Sequence, residues 1–133
     1  MEMNIDQICR NLLDNSDVVI DLSDFPKVTL TFAVIGTVDS KFWEVVFVLN
    51  SVFALNINRE HYERAGPNDS YMVLEAAVNK LDHDGQEAHS IYFGDGSDLD
   101  FSAKTVGFEW QATRFTKNEF KLKYNYMFAD KNA

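Results

Sequence analysis

YMVLEAAVNKL, residues 71–81, has two readings, and the choice between them sets the class of the fold. As a strand it places Met72, Leu74, Ala76 and Val78 on one face. As a helix it brings Leu74, Ala77, Val78 and Leu81 into register, with Ser70 as the cap. Alanine and glutamate favour the helix by propensity. The surroundings favour the strand, because DHDGQ (82–86) has the chemistry of a turn and the neighbouring segments carry a period of two.

Upstream, VTLTFAVI (28–35) alternates with Leu30, Phe32 and Val34 on one face. FWEVVFVL (42–49) is apolar on both faces, the pattern of a central strand. FALNIN (53–58) alternates again, and Asn50-Ser51 between the two is short enough for a hairpin turn, which makes a meander the simplest topology. The stretch 58–70, NREHYERAGPNDS, reads as a loop, with one helical turn in EHYER left open. At the C-terminus FKLKYNYMF (120–128) alternates Phe120, Leu122, Tyr124, Tyr126 and Phe128 with lysines and Asn125, which predicts an edge strand protected by its charges. Residues 4–15 predict the one clear helix, with Ile5, Ile8, Cys9 and Leu12 on a stripe and Asn4 as the cap. The expected fold is α+β: a mainly antiparallel β-sheet, shaped as a sandwich or a curved half-barrel, with the N-terminal helix packed on it. At 133 residues, with no repeat or Pro-rich linker, residues 1–133 form a single domain.

IYFGDGSDLDF (91–101) reads as a hairpin. A two-residue turn at Asp95-Gly96 would set Asp98 opposite Phe93 and Asp100 opposite Ile91, placing carboxylates against core positions. A three-residue loop, Gly94-Asp95-Gly96, pairs Phe93 with Ser97 and Ile91 with Leu99. Ile91, Phe93, Leu99 and Phe101 then face inward, while Tyr92, Asp98 and Asp100 face outward. A calcium loop fits less well: counted from Asp82 or Asp95, the glycine falls at the wrong position and the closing glutamate is missing. GDGSDLDF matches one turn of a calcium-binding nonapeptide repeat, but those repeats work in stacks.

Other chemistries find little support. His61, His83 and His89 have no HxxxH or CxxC spacing, and Asp82, His83, Asp84 and His89 read as surface turn residues rather than metal ligands. There is no GxSxG, GxGxxG or GxxxxGK[ST] motif, and Cys9 sits on the apolar helix stripe as a small core residue. Trp43 and Trp110 read as core. The expectation is a protein without enzymatic activity, cofactor or metal. The longest apolar run, 45–49, is far short of the roughly 20 residues of a membrane span. The single cysteine, and an N-terminus with acids where a secretory signal has Lys or Arg, predict a cytoplasmic location.

Charge is the most informative compositional feature. The formal net charge is −9. Residues 1–25 carry six acids against Arg10, and residues 82–109 carry seven against Lys104, so two acidic blocks flank a near-neutral middle. Such a surface repels nucleic acid and attracts a cationic partner. Tyr92, Asp95, Asp98 and Asp100, with Asp82 and Asp84 from the preceding turn, are the candidate partner-binding residues, Tyr92 supplying an aromatic anchor among acids. The stretch YMVLEAAVNKLDHDGQEAHSIYFGDGSDLDFSAKTVGFEW (71–110), with its strands, acidic turns and aromatic finish, is similar in type to the small acidic immunity proteins of bacterial contact-dependent and polymorphic toxin systems. That resemblance implies a cytoplasmic protein that binds a basic toxin domain, often a nuclease, and blocks its active site. The alternative is a small-molecule-binding half-barrel with an aromatic-lined pocket.

Overall fold

The computed structural model describes residues 4–14, 16–35, 42–57, 70–95 and 100–124. Helix α1 (Ile5–Asn11) begins where expected, because the Asn4 side chain accepts from the Gln7 N–H and the Gln7 side chain accepts from the Asn4 N–H, each at 2.9 Å. Ile8, Cys9, Leu12 and Leu13 enter the core from this helix. Seven strands follow: β1 (Ser16–Asp21), β2 (Val28–Ile35), β3 (Phe42–Ile57), β4 (Ser70–Val73), β5 (Glu75–His83), β6 (Gln86–Gly94) and β7 (Asp100–Phe115). A second helix, α2 (Lys117–Lys123), closes the described chain.

The sheet order is β4-β1-β2-β3-β7-β6-β5, with every neighbouring pair antiparallel. It consists of two meanders, β1-β2-β3 and β5-β6-β7, joined by the β3–β7 ladder, rather than one continuous meander. The segment 71–81 is strand throughout except at Leu74. Its first part, β4, pairs with β1, and its second part, β5, pairs with β6. Leu74 between them donates its N–H to the Gly94 carbonyl at 2.9 Å. The two ends of the sheet are therefore consecutive pieces of one segment, which requires strong curvature of the half-barrel kind. Helix α1 packs against β5, covering the edge that β6 leaves free.

The concave side is filled by phenylalanine. Phe32, Phe47, Phe93 and Phe101 are fully buried; Phe32 meets Phe47 and Phe93 edge-on, with ring centroids 5.0 and 5.6 Å apart. The inward alternation of Leu30, Phe32 and Val34 is as expected, and Ala33 on the other face is buried too, because α2 covers it.

Three expectations are corrected. First, β3 runs unbroken through Asn50-Ser51, so there is no hairpin there. What imitates a break is a change of phase: the inward positions run Leu49, Val52, Leu55 and Ile57, because the ladder is irregular at Asn50 and slips between Val52 and Ala54. Gly107 on β7 serves the first irregularity. Its φ is +88°, and a Cβ there would stand 3.2 Å from the Asn50 Cβ. Second, 120–123 is helix, not edge strand. The Thr116 hydroxyl accepts from the Glu119 N–H, the Glu119 carboxylate accepts from the Thr116 N–H, and Phe120 and Tyr124 share one face four residues apart. Leu122 points to solvent, and residues 125–128 lie outside the described chain. Third, Trp110 is 37% exposed, whereas Trp43 packs against the core. Among the described residues β6 pairs with β7 only up to Thr105, so Trp110 stands on a part of β7 with a neighbour on one side alone.

Candidate functional site

The hairpin at 91–101 exists, but its loop is longer than the spacing predicts. Gly94 pairs with Asp100, Phe93 with Phe101 and Ile91 with Ala103, leaving five residues, 95–99, between the strands. This register replaces the expected Phe93–Ser97 pair with two phenylalanine rings stacked at 4.4 Å and 9°, a far larger apolar contact. The two registers differ by an even number of residues, so the faces are unchanged. Ile91, Phe93 and Phe101 face inward, and Tyr92 and Asp100 face outward. Asp98 and Leu99 lie outside the described residues.

The outward side of this hairpin holds an ordered acidic group. Glu75, Gly94 and Asp100 form one row across β5, β6 and β7, and Ala77, Tyr92 and Ser102 form the adjacent row on the same face. Gly94 leaves a gap between the two carboxylates, and the Tyr92 ring reaches over it. The Tyr92 hydroxyl lies 3.1 Å from Glu75 Oε1 and 3.3 Å from Asp100 Oδ1. A phenol has one proton to donate, so it serves one carboxylate at a time. Desolvation, then the hydrogen bond and charge of Glu75 and those of Asp100, push the Tyr92 phenol up to about 12. Replacing both carboxylates, as Glu75→Gln with Asp100→Asn, is therefore expected to move Tyr92 ionisation down toward the ordinary 10.0. An alkaline titration followed by the Tyr92 ring resonances checks this; an unchanged midpoint would show that the carboxylates do not act on the phenol.

Of the six sequence-predicted residues, the five described ones do not form one patch. Tyr92, Asp95 and Asp100 gather at one end of β6. Asp82 and Asp84 belong to the other end, where Asp84 and Gly85 take φ of +52° and +83° in the two-residue turn before Gln86. Asp82 pairs with Glu87, five residues from Tyr92 on β6, or about 17 Å at about 3.4 Å per residue. Glu75 was not singled out from the sequence. The strand reading of 71–81 carried the signal, because it sets Glu75 on the face opposite Ala76 and Val78.

The remaining chemistry-bearing side chains are dispersed. Cys9 is buried, with its thiol pushed up to about 11 by desolvation first and by the Asp6 charge second. His83 stacks on Phe53 and His89 lies against Phe108. Among the described residues no three His, Cys, Asp or Glu side chains are grouped as metal ligands. A shallow depression of about 170 Å³ lies beside the Tyr92 row, lined by Ala54, Asn56, Ser90, Ser102 and Lys104. It is smaller than the roughly 300 Å³ at which small-molecule pockets begin, and none of the residues lining it is aromatic. No helix among the described residues is long and apolar enough to cross a membrane. No family model matches the chain, and no curated protein or solved structure matches it.

Proposed function

We propose that this chain is a non-enzymatic binding protein that captures a basic protein, acting as an immunity protein or inhibitor that neutralises a cationic toxin domain in the cytoplasm. The observation that carries this reading is the pair of carboxylates, Glu75 and Asp100, converging on one phenol proton. Such a group holds two negative charges 3.1 and 3.3 Å from a single donor, and an arriving lysine or arginine supplies the donors it lacks. The net charge of −9 speeds encounter with a positive surface, and the Tyr92 ring gives the contact an apolar element that slows release. Asp95 at the adjoining strand end adds to the same potential.

The test is co-expression with the product of the adjoining open reading frame. Growth rescue and a stable complex support the proposal, and Glu75→Lys with Asp100→Lys is expected to weaken that complex at least tenfold and to abolish rescue. A neighbouring product that neither harms the host nor binds, or a complex indifferent to the double reversal, would overturn it.

A further inference from the structure

Away from Tyr92, two exposed phenylalanines belong to segments that the fold brings together. The β1–β2 loop is tied to β3 where the Val52 N–H donates to the Pro26 carbonyl at 2.9 Å, so Phe25 and Phe53 flank a shared hydrogen bond. The slip between Val52 and Ala54 takes Phe53 out of the inward phase, and its ring instead stacks on His83 at 3.8 Å and 16°. This contact draws in the β5–β6 turn. Phe25 is 54% and Phe53 40% exposed, although both are large apolar side chains that elsewhere in this sheet fill the core.

The same segments are acidic. Residues 21–27 and 80–87 carry Asp21, Asp24, Asp82, Asp84 and Glu87 against Lys27 and Lys80, a formal net of −3 with histidine neutral. Lys80 is within 3.8 Å of Glu87, and His83 within 3.8 Å of Asp84. The Ser23 N–H and hydroxyl both donate to Asp21, which holds its carboxyl below the usual range. A second copy of this chain would set −3 against −3, so charge opposes self-association through this face. A cationic segment meets the opposite sign, and its alkyl stems and charged heads suit exposed phenyl rings.

We propose that Phe25, Phe53 and His83, with Asp24 and Asp84 in the same segments, form a second docking surface, whose occupant is an arginine- or lysine-bearing segment of a protein that also carries apolar side chains. It stands on different residues from the Tyr92 group and does not depend on it. The probe is an octapeptide of alternating arginine and leucine, with a glutamate and leucine octapeptide as control, titrated into the ¹⁵N-labelled full chain. Shifts are expected to concentrate in 21–27, 52–54 and 80–87, for the cationic peptide only. Phe53→Ala and Phe25→Ser are each expected to weaken binding at least fivefold, with Leu122→Ser, at an exposed position of α2, leaving it unchanged. If Phe53→Ala fails to fold, Phe25→Ser, on an exposed loop, decides. Asp84→Asn, which keeps a residue tolerant of positive φ, is expected to weaken binding about twofold. Shifts that leave 21–27, 52–54 and 80–87 unmoved, shifts spread evenly over every acidic residue, no shifts, or wild-type affinity in the phenylalanine variants would each overturn the proposal.

Discussion

Phe93→Ala is expected to lower the unfolding free energy by about 3–5 kcal/mol, measured as a fall in the urea midpoint at constant slope. The ring is fully buried, stacks on Phe101 at 4.4 Å and meets Phe32 edge-on at 5.6 Å, so its removal leaves a cavity bounded by rigid rings that cannot collapse into it. Phe93 also sits in the cross-strand pair that fixes the 91–101 register, so the loss falls on strand pairing as well as on packing. Phe53→Ala serves as the internal contrast. It removes the same side chain from a 40% exposed site and is expected to cost about 1 kcal/mol or less. Equal losses at the two positions would mean that the half-barrel interior is not the core of this protein.

Phe120→Ala is expected to cost about 3 kcal/mol and, unlike Phe93→Ala, to release a single element. Helix α2 has seven residues, too few to hold helical structure alone in water, so its stability comes from what it packs against. Phe120 is fully buried between Phe42, 5.1 Å away, and Tyr124, 4.8 Å away. Without it the helix still has the hydroxyl of Tyr124 donating to Glu44, the ion pair of Lys123 with the same carboxylate, and the Thr116 cap, all nearer solvent than the Phe120 ring. Amide exchange of 120–124 should rise to near the unprotected rate while β2 and β3 stay protected. Protection that survives the substitution would show that the ion pair, not the ring, holds α2 in place.

How much of this was legible depends on whether the deciding interaction was local. The α1 stripe and its Asn4 cap, the strands at 28–35 and 42–49, and the strand character of 71–81 follow from patterns within a dozen residues. The Thr116-x-x-Glu119 box was legible too, but the alternation from Phe120 onward masked it, because Phe120 and Tyr124 satisfy a period of two and a spacing of four equally. The candidate site was half legible. Tyr92 and Asp100 were placed on the outer face by parity, while Glu75 joined them only through the pairing of β5 with β6. Asp82 and Asp84 were grouped with them by sequence proximity, which a hairpin does not preserve: its turn and its far end are the most distant points on it.

The sequence by itself determined the composition of the two faces, the acidic charge and the antiparallel class, because side-chain alternation and charge are properties of single segments. Tertiary structure alone decided that β3 continues through Asn50, that 71–81 is shared between β1 and β6, and that the loop at 95–99 has five residues. Each of these depends on which strand lies opposite, and the energy that chooses it, such as Phe93 against Phe101, belongs to pairs of residues on different strands.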